Sequence, residues 1–322
     1  MTQDKPALSR PTAAEYAAAD LGRGIGITQV ASLGNQLGAA AGALAFPAIG
    51  PIGVVAVRQL VAAVVLVPIG RPRFGSMRRS DWLAVIALAL ALTVMNTSVY
   101  LTIDRLGLGL AITLEFLGPL ALVILAARRV IDYLAGVIAI VGVIVLVNPG
   151  PTSDYLGIGI GLLSACAWAA YILLNRNIGR RLPGVQGTAT ASLISAVVWL
   201  PVAIALCVAQ PPPMWAIGLA LLCGLASSVL PLSADMTALR LLPAGLFSTL
   251  QSMHPVWAAI VGFVLLGEGL AIAEMVGIGL VVLSNIIVTT TSAARSRHSP
   301  RVIPARPEEA GRRSSTSAHK DE

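Results

Sequence analysis

The chain has 322 residues, of which 56% are hydrophobic and only 11% are charged, and its mean hydropathy is +0.83. These values exclude an ordinary soluble globular domain. The net charge of +7 must be explained by where the basic residues lie before it is attributed to an acidic partner.

Apolar stretches of membrane-spanning length recur along the chain, and the breaks between them are short. Since lipid leaves no water for backbone groups, such stretches must be helices. The predicted fold is therefore an all-α integral membrane protein with about ten transmembrane helices. The predicted segments are 24–46, 51–69, 82–103, 106–127, 130–148, 155–175, 187–208, 213–236, 244–266 and 270–290.

Connections rich in glycine, proline or charge separate many of these segments. They read FPAIGP at 46–51, GRPRFGSMRRSD at 70–81, NPGPTSD at 148–154, RNIGRRLPG at 176–184 and QPPPM at 210–214. Residues 1–23 are polar and lack the pattern of a signal peptide, which predicts an N-terminal tail. The polar composition of residues 292–322 predicts a disordered C-terminal tail.

Basic residues concentrate in alternate connections, which predicts that both termini are cytoplasmic. Among the other connections, only the one at Arg105 holds a basic residue. Topology thus accounts for the net charge, and we infer no nucleic-acid site. The residues that set the orientation are Arg71, Arg73, Arg78, Arg79, Arg128, Arg129, Arg176, Arg180, Arg181 and Arg240.

The two halves of the chain share a spacing pattern that indicates an internal repeat. MNTSVYLTIDRLGLGLAITLEFLGPLALVIL at 95–125 matches ADMTALRLLPAGLFSTLQSMHPVWAAIVG at 234–262 and sets Pro119 against Pro255. We expect five helices in residues 24–148 and five in 155–290. Because each half crosses the membrane an odd number of times, the two halves have opposite orientations in the membrane. Inverted repeats are typical of secondary transporters, whose substrate sites lie near the midplane.

Glu115 lies near the middle of its segment, roughly 14 Å along the helix from Leu106. A charge at that depth costs about 2.5–3.5 kcal/mol, and such groups mark ion and substrate pathways. Pro119 has no N–H, so it leaves the carbonyl of Glu115 unbonded, and Pro255 does the same for Gln251. A neutral acid hydrogen-bonded to a neighbouring helix is the structural alternative.

Other polar residues inside the segments are candidates for substrate or proton binding. Arg58 lies too deep to reach a membrane surface easily, which favours a substrate or partner role. His254 is a candidate proton site, although a hydrogen-bonded core histidine fits equally well. Asn35, Asn96 and Gln251 are also candidates, and contact between helices is the usual role of the asparagines.

Trp168 and Tyr171 fit an interfacial aromatic belt and a cavity wall equally well. Gly34, Gly38 and Gly42 form a ladder that favours close helix packing. Four acidic residues lie at or near segment ends, where we expect solvent to reach them: Asp132, Asp154, Glu268 and Glu274.

No motif of an enzyme, a nucleotide-binding loop or a metal site occurs in the sequence. The three cysteines all fall within apolar segments and give no disulfide or metal pattern. We therefore expect no cofactor, no metal and no enzymatic activity.

Three stretches resemble the EamA-type ten-helix proteins of the drug/metabolite transporter superfamily: TLEFLGPLALVIL, SACAWAAYILLNR and LFSTLQSMHPVWAAIVGFVLLGEGL. LEFLGPLA and TLQSMHP together are most similar to bacterial threonine and homoserine exporters. The resemblance covers nearly the whole chain apart from the tails. It implies two EamA repeats in the inner membrane and export of amino acids or related metabolites driven by protons. Glu115 matches the pattern, whereas His254 stands where these exporters usually carry glutamate.

Residues and resemblance together predict a secondary exporter of small metabolites, with threonine-like amino acids first and proton antiport as the coupling. An exporter of cationic drugs or aromatic compounds is the alternative within transport, and a non-transporting membrane scaffold is the alternative outside it. The expected partners are a small-molecule substrate, protons and the lipid bilayer, and whether the unit is a monomer or a homodimer stays open.

Overall fold

The structure is a computed structural model that describes residues 13–125, 130–147, 154–183, 185–242, 244–269 and 271–298. Within these ranges the chain is all-helical, without β-strands, as the sequence predicts. The helices are α1 (Ala13–Leu44), α2 (Phe46–Gly70), α3 (Arg79–Leu106), α4 (Leu108–Glu115), α5 (Leu117–Leu125), α6 (Val130–Val147), α7 (Tyr155–Gly179), α8 (Gln186–Ala209), α9 (Met214–Gly224), α10 (Leu230–Leu241), α11 (Ala244–Gln251), α12 (His254–Val261) and α13 (Ile272–His298).

Three of the longer segments are interrupted helices. A single turn residue, Phe116, separates α4 from α5, and a two-residue turn at 252–253 separates α11 from α12. A π-helical turn (Leu225–Val229) joins α9 to α10, and another (Gly262–Leu266) follows α12. Counting each interrupted segment once gives ten helical segments in the described ranges.

Among the described residues, α2, α3, α7 and α8 are long and apolar enough to cross a bilayer by length and composition. Shorter apolar helices lie at Leu108–Leu122, Tyr133–Leu146, Met214–Ser228, His254–Leu266 and Ile272–Ile287. Large apolar side chains such as Val64, Leu90 and Val208 are exposed on the outside of the bundle. Outward apolar surface of this kind is expected for helices that face lipid.

Several predicted boundaries are wrong. The first helix begins at Ala13 and not at residue 24, because alanine-rich sequence favours helix even where it is polar. FPAIGP lies inside α2, which tolerates proline in its first turn and bends at Gly50 (φ 66°, ψ 168°). The last helix continues to His298, and the rest of the predicted C-terminal tail lies outside the described residues.

The helices pack in pairs across the two halves of the chain. Contacts join α1 to α9 and α10, α2 to α8, α3 to α7, α4 to α12, and α6 to α13. The glycine ladder of α1 faces the interrupted helix: a Cβ on Gly38 would lie 2.6 Å from Ser227 Oγ, and one on Gly42 would lie 3.0 Å from Cys223 Sγ. These glycines therefore allow the close approach that the sequence predicts.

One end of α3 meets the basic connections. Arg181 Nη1 lies 3.9 Å from Asp81 Oδ1, and Gln186 Nε2 donates to the Arg73 carbonyl at 3.5 Å. These contacts place the connection after α2 beside the connection after α7. We call this the basic end of the bundle.

At the opposite end of α3, two of the acidic residues expected in solvent make specific contacts instead. Arg105 Nε lies 2.8 Å from Asp154 Oδ2, and the Arg105 guanidinium holds the pKa of the Asp154 carboxyl below its usual value. Glu268 is half-buried and accepts from the Leu108 N–H at 2.8 Å (Oε1) and 3.0 Å (Oε2). Glu268 therefore joins the exit of α12 to the start of α4.

The Glu268 contact requires two glycines. Gly107 has a φ of 83°, a conformation that favours glycine, and a Cβ there would lie 2.8 Å from Glu268 Cδ. A Cβ on Gly262 would also collide with the carboxylate. The prediction that Glu268 is solvated is therefore wrong, because its partner lies on a helix far away in sequence.

We expect Glu268→Ala to lower the thermal unfolding temperature of the detergent-solubilised protein, since Leu108 would lose its acceptor within a packed cluster. A buried donor left unpaired costs about 1–3 kcal/mol. Glu274→Ala is the matched control, because Glu274 also accepts from a backbone N–H, that of Ala271, but at an exposed site. Equal losses in the two variants would show that the Glu268 contact adds no special stability.

Candidate functional site

A cavity of about 290 Å³ lies between the helices, bounded by α1, α2, α3, α4, α7 and the interrupted helices of the second half. Its walls include each residue that the sequence selects for substrate or proton binding: Asn35, Arg58, Asn96, Glu115, Trp168, Tyr171, Gln251 and His254. Residues far apart in the chain are thus brought to one site.

Glu115 is the last residue of α4, immediately before the break at Phe116. The Ser164 hydroxyl on α7 lies 3.0 Å from Glu115 Oε1 and 3.3 Å from the Met95 carbonyl, so it can donate to either. In the second half, Gln251 is likewise the last residue before a break. The helix breaks follow Glu115 and Gln251, each four residues before Pro119 or Pro255.

His254 lies within a network of neutral polar groups. Gln36 Nε2 lies 3.2 Å from His254 Nδ1, and His254 Nε2 lies 2.8 Å from Gln251 Oε1 and 3.1 Å from Ser32 Oγ. With Gln36 donating, Nδ1 accepts and Nε2 carries the proton that Gln251 accepts. The network therefore fits a neutral imidazole with both ring nitrogens hydrogen-bonded.

Arg58 is half-buried on α2, and its guanidinium carbon lies 5.3 Å from the centre of the Tyr100 ring. Neither Arg58 nor Glu115 forms an ion pair in the described part of the chain. The cavity thus contains a basic and an acidic side chain that do not neutralise each other directly.

An aromatic wall completes the cavity. Phe116 packs edge-on against Trp168 with ring centres 4.9 Å apart, and its ring centre lies 5.5 Å from that of His254. Tyr171 lines the same cavity one helical turn after Trp168. Trp168 and Tyr171 are therefore cavity residues here, which decides between the two interpretations of their positions.

The two asparagines contribute differently. Asn96 Nδ2 donates to the Leu92 carbonyl of its own helix at 2.8 Å, whereas the Asn35 backbone carbonyl accepts from Ser227 at 3.2 Å. Only the Asn35 contact joins two helices, and it uses the backbone rather than the side chain. Their place in the wall nevertheless leaves them beside any occupant of the cavity.

Sequence reasoning did not select several wall residues. Helical spacing offered a signal for three of them, because residues three or four apart share a face. Ser32 lies four residues before Gln36, Tyr100 four after Asn96, and Ser164 four before Trp168. Phe116, which packs between Trp168 and His254, carried no polar signal. The added wall residues are Ser32, Tyr100 and Phe116, and Ser164 is added as the hydrogen-bond partner of Glu115.

The cavity continues toward the basic end. A second cavity of about 430 Å³ shares Arg58 and Asn96 with the first and extends to Gly179 and Thr188, near the ends of α7 and α8. At the other end, a tightly packed apolar cluster occupies the space between the helices, with Val54, Ile103, Leu108 and Val261 among its buried members. The polar space therefore approaches the basic end and does not reach the opposite end of the bundle, where Glu268 lies.

Comparisons with known proteins place this architecture in a family. A model of the EamA-like transporter family matches residues 155–290. Threonine/homoserine exporter RhtA of Escherichia coli (strain K12) is 33% identical over 275 residues, which cover 84% of this chain and 92% of that protein. The chain belongs to the EamA-like transporter family. The resemblance seen in the sequence motifs is thereby confirmed, and the relatives point to a membrane transporter rather than an enzyme.

A further relative and a solved structure also match the chain. Threonine/homoserine exporter RhtA of Salmonella typhimurium (strain SL1344) is 32% identical over 262 residues, which cover 80% of this chain and 88% of that protein. One solved crystal structure has a TM-score of 0.51 at 17% identity, covering 83% of this chain and 99% of that one. At that identity the likeness concerns the fold alone.

If the polar space opens at the basic end, a cysteine there should react with a membrane-impermeant thiol reagent added from that side. We expect Thr188→Cys to be labelled in inside-out vesicles and Val261→Cys, which is buried in the apolar cluster and lies outside both cavities, to stay unlabelled. Both changes are made with Cys166→Ser and Cys207→Ser, which remove the exposed cysteines while buried Cys223 remains. Labelling at Val261 equal to that at Thr188 would contradict the one-sided opening.

Proposed function

We propose that this EamA-like transporter exports small zwitterionic metabolites across the bacterial inner membrane in exchange for protons. Amino acids of the threonine or homoserine type are the first candidates. The observation that carries the proposal is that Glu115 and Arg58 line one cavity without forming an ion pair with each other. An amino acid brings an ammonium group for Glu115 and a carboxylate for Arg58.

Unpaired charges at membrane depth raise the free energy of the folded protein. A zwitterion compensates both side chains at once, whereas a simple cation leaves Arg58 without an anion and a simple anion leaves Glu115 without a cation. Arginine suits the carboxylate because its planar guanidinium can donate two parallel hydrogen bonds. The cavity should therefore select for the zwitterionic charge pattern.

Glu115 is also the group at which a proton and the substrate compete. The carboxylate binds either the substrate ammonium or a proton, so loading one favours release of the other. Coupled to alternating access, this exclusion yields antiport. The Ser164 hydroxyl provides a hydrogen-bond donor for Glu115 when the substrate is absent. The surroundings of His254 favour an uncharged imidazole in the cavity wall, because both of its ring nitrogens are hydrogen-bonded to protein groups.

The relatives support the substrate class, since both are threonine/homoserine exporters that match this chain over most of their length. They also support a multi-pass protein of the bacterial inner membrane. The substitution of His254 for the acid usually present in such exporters leaves one intramembrane acid at the cavity, Glu115, within the described residues.

An inverted repeat accounts for the helix pairing. If each segment of residues 24–148 is exchanged with its counterpart in 155–290, the pairs α1 with α9 and α10, and α3 with α7, change places. The pairs α2 with α8, α4 with α12, and α6 with α13 map onto themselves. Breaks after Glu115 and Gln251 add matching positions in the two halves. We infer ten transmembrane segments in two inverted repeats.

The orientation follows from charge. The connections after α2 and after α7 meet at the basic end and carry Arg73 and Arg181. The positive-inside rule assigns that end to the cytoplasm, which leaves both termini cytoplasmic. The polar space then opens toward the compartment from which an exporter collects its substrate.

A second candidate, export of aromatic compounds, is favoured by the wall of Phe116, Trp168 and Tyr171. Export of cationic drugs is disfavoured by Arg58 in the same cavity. Competition assays separate these possibilities, because a zwitterion exporter is inhibited by amino acids and not by equally sized organic cations.

We expect Glu115→Gln to reduce proton-driven threonine flux in reconstituted vesicles to background while the protein stays folded. The amide keeps the shape of the side chain, but it carries no charge and does not titrate. Flux of radiolabelled threonine under an imposed pH gradient is the measurement. Asp104→Asn is the matched control, because Asp104 is an exposed carboxylate outside the cavity. Undiminished flux in Glu115→Gln would remove this residue from the mechanism.

The substrate is tested by loading cells that express the protein with a panel of amino acids and dipeptides and measuring which are released faster. We expect threonine and homoserine to lead. Release of none of them above the empty-vector control would contradict the proposed substrate class.

A further inference from the structure

Arg58 presents a physical problem. It lies in the interior of α2, half-buried in the cavity wall, and it forms no ion pair in the described part of the chain. A cation that is removed from water and not paired with an acid is strongly unfavourable. Some other interaction must hold the guanidinium at this depth.

The face of the Tyr100 ring supplies that interaction. The Arg58 guanidinium carbon lies 5.3 Å from the ring centre, within the range of a cation–π contact, and such contacts strengthen when they are desolvated. Tyr100 is 1% exposed, so the ring is held away from solvent. Since a guanidinium carries five N–H donors, contact with one neutral side chain leaves donors available to an anion.

Three neighbours fix the Tyr100 ring. Its hydroxyl lies 2.8 Å from Cys223 Sγ, and Phe46 packs against it edge-on with ring centres 6.2 Å apart. Gly42 leaves the necessary space, because a Cβ there would lie 3.0 Å from Tyr100 Cε1. Tyr100 is thus held by α1, α2 and α9 while its face remains against Arg58.

We propose that Tyr100 is a positioning residue, which holds the Arg58 guanidinium without neutralising it and so presents its N–H groups to the substrate carboxylate. This inference rests on the proposed function, in which the cavity takes a zwitterion. A tyrosine partner differs from an acid in one decisive respect: an acid would neutralise the guanidinium, whereas a neutral tyrosine leaves its positive charge to the substrate carboxylate. Selectivity for a carboxylate therefore depends on Tyr100 as well as on Arg58.

The test compares threonine with threonine amide, which keeps the ammonium and hydroxyl groups but lacks the carboxylate. The measurements are the KM for threonine flux and the inhibition constant of the amide in the same vesicles. We expect the wild-type protein to bind threonine more tightly than the amide. Their ratio measures carboxylate recognition and is insensitive to a general loss of packing.

Tyr100→Leu removes the aromatic face, and we expect it to raise the KM for threonine about tenfold while the inhibition constant of the amide stays nearly unchanged. Tyr100→Phe keeps the face and loses the hydroxyl contacts, such as that with Cys223, so its ratio should remain close to that of the wild-type protein. Tyr100→Met fills the volume with a flexible apolar chain and replaces the leucine variant should that one fail to reach the membrane.

Phe46→Leu is the packing control, because Phe46 contacts Tyr100 from the side and is not part of the cavity wall. We expect it to leave the ratio unchanged, because Cys223 and the close packing at Gly42 still hold the Tyr100 ring. A ratio that is unaltered in Tyr100→Leu and Tyr100→Met, or one that falls equally in Phe46→Leu, would overturn the positioning role. The proposed function would survive that result as long as Glu115→Gln abolishes wild-type threonine flux. A wild-type protein that moves no zwitterion would overturn both.

Discussion

The hydrocarbon interior provides neither water nor counter-ions, so each polar group at depth must find its partner within the protein. This constraint explains where the backbone departs from a regular helix. The break at Phe116 adjoins Glu115, and the break after Gln251 adjoins His254, and all of these residues line the cavity. Irregular backbone is tolerated at this depth because it borders an internal polar space and not lipid.

The same constraint shapes how charge is arranged around the cavity. The first half contributes an acidic residue, Glu115, and a basic residue, Arg58. Each contacts a neutral neighbour: Ser164 contacts Glu115, and Tyr100 contacts Arg58. From the second half, Gln251 and His254 contribute amide and imidazole groups that bind one another and Gln36. The proposed repeat relates the two halves in fold, but their chemistry is asymmetric. A site of this kind can hold opposite charges apart, which a strictly symmetric pair of halves would not do as readily.

Sequence reasoning located much of the site because buried charge and helix-breaking proline are conspicuous in an apolar chain. Glu115, Arg58 and His254 stand out for that reason, and family motifs supported the first of them. Tyr100 gave no such signal, since an aromatic residue in a membrane helix is unremarkable until its neighbours are known. Gln36 and Ser32 required knowledge of which face of α1 points inward.

Helix limits and long-range contacts were the least predictable features. The start of α1 at Ala13 reflects local helix propensity, which hydropathy does not measure. The partner of Glu268 could not be inferred, because the contact spans 160 positions and depends on the absence of side chains at Gly107 and Gly262. The sequence does not indicate which side chain packs against either glycine.

The Glu268 contact has a consequence for the transport cycle. It joins α12 to α4 at the end where the apolar cluster is packed, so a route through that end must either separate the two helices or move them as one body. Separation would expose the Leu108 N–H and the carboxylate together. In the proposed orientation, with the opposite end directed to the cytoplasm, the empty carrier would stay open toward its substrate supply. The strength of one carboxylate contact would then help set the lifetime of that state.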